Sequence, residues 1–147
     1  MFVDMGSLPE ARYDDLVRAT IDYVGHAIDE GEYVAWLAAP ADRPHEVIAG
    51  AGVQLRQTLP HPLSIEGDVT IADGRQAIVV NVFTEPAWRR QGAAALLMRH
   101  VLDWARDTKL DTLVLHASSD GRTLYEQLGF VATNEMRYSR SLRPPAR

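Results

Sequence analysis

Arg89-Arg90-Gln91-Gly92-Ala93-Ala94 joins two guanidinium groups to a glycine immediately before a run with helical periodicity. Backbone N–H groups at the start of a helix favour an anion, so this turn has the makings of a phosphate site. Gly92 allows the backbone to approach closely, and Ala94 allows it less well because a methyl replaces a hydrogen. Arg89 and Arg90 supply charge that a diphosphate would pair with. A polar first turn with solvated arginines is the competing reading, and the turn taken alone is a weak signal. Proton-handling groups are few. His116 can accept a proton through water near neutral pH, although a histidine on an apolar strand is more often structural. Glu85 stands before Pro86, where a solvated carboxylate competes with a role as base. Asn81 cannot act as a base; it orients a water, holds a carbonyl, or merely satisfies its own amide. The absence of cysteine excludes a thiol nucleophile, a disulfide frame and a zinc-thiolate site. His26, His45, His61 and His100 have no metal-ligand spacing, so no metal is expected.

Those residues need a strand, a turn and a helix to place them. Residues 77–84 are nearly continuous in apolar side chains, interrupted by Asn81, which predicts a central strand covered on both faces. After Glu85-Pro86, a helix is predicted over residues 90–107. Ala94, Leu97, Met98, Val101 and Ala105 then face the sheet, with Arg99, Asp103 and Arg106 opposite. Residues 112–117 form a second apolar strand, so 77–117 reads as a crossover with parallel strands. Residues 120–128 predict a short helix stopped by Gly129, with residues 130–131 and 135–139 left for a last strand or hairpin. The tail from Arg143 is not expected to be ordered. Upstream, Ser7 and Glu10 have capping-box spacing. Tyr13, Val17, Ile21, Val24 and Ile28 predict a helix that buries one stripe and ends at Gly31. Residues 33–38 and 47–55 predict a hairpin, its second strand loosened by Gly50 and Gly52. Residues 58–75, with Pro60, Pro62, Gly67 and Asp73-Gly74, predict a long connection with a frayed strand at 69–71, placed to cover or rim a site.

A chain of 147 residues with 46% hydrophobic and 24% charged residues has the size and apolar content of one domain with a real core. The 15 basic against 20 acidic residues, a net charge of -5, disfavour a surface built for nucleic acid or anionic lipid. No signal peptide and no apolar run of the length that spans a bilayer is seen, and a cytoplasmic protein is expected.

Arg89-x-x-Gly92-x-Ala94 resembles the Gln/Arg-x-x-Gly-x-Gly/Ala motif of GNAT acyltransferases, preceded by a matching strand that ends in Phe83-Thr84-Glu85-Pro86. Leu124-Tyr125-Glu126-Gln127-Leu128-Gly129-Phe130 is similar to that family's Leu-Tyr-x-x-Leu-Gly-Phe signature. The two motifs at this separation are specific together. The resemblance covers residues 32–139 and is strongest over 77–130. It implies an α/β (α+β) fold over 1–147: a mixed, mostly antiparallel central sheet with one parallel splayed strand pair, flanked by helices.

The resemblance further implies acetyl-CoA as donor, entering between the parallel strands at residues 81–84 and 113–117. Val82, Phe83 and Thr84 would bind pantetheine through main-chain groups, and Arg89, Arg90, Gln91, Gly92, Ala93 and Ala94 would hold the pyrophosphate. Tyr125 matches the tyrosine that donates a proton to the departing thiolate. Ser118 replaces a frequent asparagine and Gly121 a frequent alanine; the Ser118 hydroxyl donates to the cofactor or caps the helix. Ile78 stands where some members carry a catalytic glutamate, which leaves His116 and Glu85 as candidate bases and Asn81 as a candidate acceptor contact. The family's opening strand is expected to be missing, and the edge so exposed suggests a homodimer. The implied activity is transfer of an acetyl group to a primary amine of a small molecule or peptide, by direct attack in a ternary complex. A non-catalytic acyl-CoA-binding regulatory module and an acetyltransferase for protein N-termini or lysines are the alternatives.

Overall fold

The computed structural model describes residues 9–65, 67–133 and 135. In the first of its two units, residues 1–116, a 3-10 turn at Glu10–Arg12 runs into helix α1 (Tyr13–Asp29). Strands β1 (Tyr33–Ala38) and β2 (Ala49–Gln57) follow as an antiparallel pair with Trp36 opposite Ala51. A second hairpin, β3 (His61–Ile65) and β4 (Asp68–Ala72), makes a two-stranded sheet of its own. Strand β5 (Arg75–Thr84) returns antiparallel to β2, helix α2 (Ala93–Asp107) crosses over, and β6 (Thr112–Leu115) lies parallel to β5. The sheet order β1-β2-β5-β6 is the expected mixed, mostly antiparallel arrangement with one parallel pair. The second unit, residues 117–147, carries helix α3 (Arg122–Gln127).

Alternation along the strands decides which face is filled. Ala49, Ala51 and Val53 of β2 and Ala77 and Val79 of β5 are buried, and α2 packs across β1, β2 and β5. The helix contributes Leu97, Met98, Val101 and Ala105, as its periodicity predicts, with Ala94 only partly buried. Alanines on the strands leave depth for Met98, which is wholly buried. Trp36 of β1 meets Trp104 of α2 edge to face, with centroids 5.6 Å apart. On the opposite face of the sheet, Gln54 Nε2 donates to the Tyr23 hydroxyl of α1 at 2.6 Å.

Three expectations are corrected. The stripe on α1 is not buried: Tyr13, Val17, Ile21 and Ile28 are exposed, Ile21 by 64%. The helix lies against the edge strand β1, so its contact narrows to the last turns, where Ala27 is buried. Residues 77–84 are not covered equally on both faces. Ala77 and Val79 are buried under α2, whereas Ile78 and Val80 on the other face are only partly so. The connection at 58–75 is a complete hairpin rather than a frayed strand in a loop. Gln57 pairs with Arg75 and the Thr58 N–H donates to the Gly74 carbonyl at 2.8 Å, so the base of the excursion is closed and its two arms leave side by side. Pro62 is tolerated because a two-stranded sheet has open edges. This hairpin springs from the start of β5, about 20 Å of strand from Asn81 at about 3.3 Å per residue, and so does not rim the other end.

The remaining differences are at boundaries. The second hairpin strand is displaced by two residues from 47–55 to Ala49–Gln57, and the crossover helix starts at Ala93 rather than Arg90. Residues 130–131 form no strand. The capping box at Ser7, the opening strand, most of 135–139 and the tail lie outside the described residues; among those described, β1 is an edge of the sheet.

Candidate functional site

The central strand carries a bulge where the chemistry was expected. Pairing with β2 passes from Gly52↔Val80 to Gly50↔Phe83, so Asn81 and Val82 together oppose the single residue Ala51. Asn81 has φ 54°, the left-handed conformation that asparagine tolerates better than most residues. The ladder with β6 ends at Val79↔Leu115, immediately before the bulge. Beyond it, Val82, Phe83 and Thr84 have no ladder partner on the β6 side among the described residues. Asn81 is exposed, and its Nδ2 donates to the Tyr33 hydroxyl at 3.5 Å. Tyr33 was not singled out by sequence reasoning. It is buried, and its side chain crosses β2 at Gly52, where an added Cβ would collide with the hydroxyl. The available signal was Gly52 itself, which reads from sequence only as a weak point in a strand.

After β5 the chain makes a 3-10 turn at Pro86–Trp88 and enters the arginine turn. Arg90 has φ 62° and Gly92 has φ 87°; Gly92 is the N-cap of α2 and no side chain caps the helix. The first ladder bond runs from the Leu96 N–H to the Gly92 carbonyl at 2.9 Å, which leaves the amides of Ala93, Ala94 and Ala95 as the open N-terminal donors. A Cβ built on Gly92 meets nothing within 4 Å, so the space beside these amides is open. Arg89 Nε donates to the Thr84 carbonyl at 3.1 Å and ties the turn to the end of β5. Gln91 Nε2 donates to the Ala87 carbonyl at 3.0 Å, so its side chain shapes the turn, whereas Arg90 is exposed. Open amides, open space and a free guanidinium fit a diphosphate. Glu85 is exposed, and its N–H donates to the Ile48 carbonyl at 2.8 Å; His116 is exposed just after β6.

In the second unit, α3 ends in a Schellman cap. The Phe130 N–H donates to the Tyr125 carbonyl at 3.0 Å, the Gly129 N–H donates to the Glu126 carbonyl at 3.1 Å, and Gly129 has φ 94°. The motif Leu-Gly-Phe is thus a helix stop, and its apolar clasp is the edge-to-face contact of Tyr125 with Phe130, centroids 6.1 Å apart. Burial pushes the Tyr125 phenol above its ordinary value. Gly121 makes room for that ring: a Cβ there would lie 2.8 Å from Tyr125 Cε2. Ser118 Oγ accepts from the Gly121 N–H at 3.2 Å.

Residues 65–143, more than half of the chain, match the family model described as an acetyltransferase (GNAT) domain. The chain belongs to the GNAT acetyltransferase family. The structure of a predicted acetyltransferase with acetyl-CoA from Clostridium acetobutylicum superposes with a TM-score of 0.71 at 24% identity, covering 95% of this chain and 82% of that one. A GCN5-related N-acetyltransferase from Ralstonia eutropha JMP134 gives 0.67 at 24%, over 88% and 82%. An aminoglycoside antibiotic 6'-N-acetyltransferase from Acinetobacter haemolyticus gives 0.62 at 19%, over 93% and 97%. At these identities the likeness is one of fold. No curated protein matches the chain.

Within the GNAT frame, the departures acquire local causes. Gly121 accommodates the Tyr125 ring, and Ser118 caps the turn that leads into α3. Ile78 lies partly buried in the half of β5 that is paired on both sides, opposite Gln54 and beside Val114. An aliphatic side chain suits that setting. Among the described residues no helix is long and apolar enough to cross a membrane.

Proposed function

We propose that this GNAT protein is one domain over 1–147 that transfers an acetyl group from acetyl-CoA to a primary amine of a small molecule or peptide, in the cytoplasm, by direct attack within a ternary complex. The observation that carries the reading is the sequence of devices along one strand and its following turn. A bulge at Asn81 lies where the parallel ladder stops, and an uncapped helix N-terminus stands behind the open Gly92. Backbone groups of Val82, Phe83 and Thr84 would hold the pantetheine arm, and Arg89 to Ala94 the pyrophosphate. The acetyl thioester supplies the activated carbonyl.

Tyr125 would give its proton to the departing thiolate, as a phenol that is protonated at neutral pH. The attacking nitrogen must lose a proton, and His116 or Glu85, both exposed, would take it through water. Ile78 at the carboxylate position of some relatives favours a second reading, a module that binds acyl-CoA without turnover. Incubation with acetyl-CoA and pooled amines and peptides, followed by assay of free thiol, separates the two. Thiol release that depends on an added pool supports the transferase. Calorimetric binding of acetyl-CoA with no release establishes the module, and absence of binding removes both.

A further inference from the structure

We propose that Tyr33 is a positioning residue for the acyl-binding backbone, acting through Asn81 across three strands. The phenol starts on β1, is only 7% exposed, and passes over β2 at Gly52, the point where any other residue would place a Cβ against its hydroxyl. Its oxygen then accepts from Asn81 Nδ2 on β5 at 3.5 Å. Asn81 is the residue whose left-handed backbone makes the bulge, and such a conformation persists in a non-glycine residue only where its surroundings hold it. Tyr33 is buried and Asn81 is exposed, so the contact ties a core phenol to the side chain at the solvent-facing bulge. The residue after Asn81 is Val82, the first of the main-chain groups assigned to the acyl-CoA arm, so the aim of its amide depends on how Asn81 is held. The inference rests on that assignment. It adds a residue of β1 that contributes nothing to the phosphate turn and yet sets the geometry at the reacting end.

Tyr33→Phe keeps the ring over Gly52 and removes only the oxygen. The expected result is a kcat lowered by about tenfold or more, short of the ~10²–10³ that follows removal of an oxyanion donor, with the KM for acetyl-CoA changed by less than about threefold. In an Asn81→Gly background, where glycine takes the left-handed conformation unaided, the same change should have no further effect on kcat. Equal losses in the two backgrounds would mean that the Tyr33 hydroxyl acts independently of Asn81 and would overturn the proposal. A second measurement does not need turnover. In the protein without ligand, Tyr33→Phe should shift the Asn81 side-chain amide and the Val82 backbone amide in a nitrogen-proton NMR spectrum, and leave the amides of Ala93 to Ala95 in place. Unmoved Asn81 and Val82 signals would also overturn it. If the wild type releases no thiol with any amine while those two signals move as expected, the transferase reading fails and the link between Tyr33 and the bulge stands.

Discussion

Tyr125, like any phenol with the ordinary value of about 10, keeps its proton through the neutral range, and burial pushes its value further up. The sign matters for its proposed role. An acid whose pKa is raised above about 10 loses its proton with a midpoint above that pH, so a fall in kcat centred below pH ~10 belongs to another group. Tyr125→Phe should retain CoA affinity, lower kcat by ~10²–10⁴-fold, the usual span for general acid catalysis, and abolish the alkaline limb. A pH profile of thiol release with saturating acetyl-CoA checks all three. At the phosphate turn two substitutions separate conformation from charge. Gly92→Asn can take the left-handed φ of 87°, whereas Gly92→Glu meets strain and brings a carboxylate into the open space. A like charge about 4 Å from a phosphate costs about 1 kcal/mol even in water and more near a protein surface. Calorimetry with CoA on the folded variants should therefore show Gly92→Glu binding at least about tenfold more weakly than wild type, with Gly92→Asn closer to it.

The three α-helices among the described residues end in the same hydrogen-bond pattern, and one of them does so with the wrong residue. Gly31 and Gly129 occupy the left-handed C′ positions of α1 and α3; after α2 that position is Lys109, with φ 54°. The Leu110 N–H reaches the Ala105 carbonyl at 3.0 Å and the Lys109 N–H reaches the Arg106 carbonyl at 3.0 Å, so the cap forms despite the strain. The left-handed conformation costs an L-residue roughly 1–2 kcal/mol, partly offset by glycine's greater freedom in the unfolded chain. Lys109→Gly should thus stabilise the protein by about 0.5–1 kcal/mol, read as a raised urea midpoint at constant m-value. The helix also supplies the core: Met98 is wholly buried against the alanines of the sheet. Met98→Ala should cost about 2–5 kcal/mol, measured in the same titration.

The β3–β4 hairpin and the proposed site leave from opposite ends of β5, so the hairpin is expected to be dispensable for binding. Among the described residues its strands pair only with each other, and Val69 and Ile71 are 70% and 72% exposed, so it adds little burial. Replacing residues 59–73 by a short turn that lets Gln57 run into Arg75 should leave CoA affinity within about twofold, as expected of distant, uncoupled positions. Calorimetry on the shortened chain tests this, and a large loss would mean that the hairpin braces the sheet. The apolar face of α1 is exposed too, with Tyr13, Val17, Ile21 and Ile28 open beside the edge strand β1.

Residue order alone determined the strand-turn-helix of residues 77–107, because an apolar run, a proline, a glycine and a 3.6-residue periodicity are local signals that no distant contact needs to confirm. The helix stop at Gly129 was legible for the same reason. The buried face of α2 was readable as well, since the helix has only one apolar side to offer. Tertiary structure decided what depended on neighbours. The periodic stripe of α1 looked like a core face, but an edge strand gave it too little to bury against. Residues 58–75 looked like a loop because their prolines and glycines break local propensity, and only the closure of Gln57 on Arg75 turned them into paired strands. Asn81 read as a polar interruption. Its left-handed backbone, and the reach of Tyr33 over Gly52 to hold it, arise from register across three strands, and register is set by partners far apart in the chain.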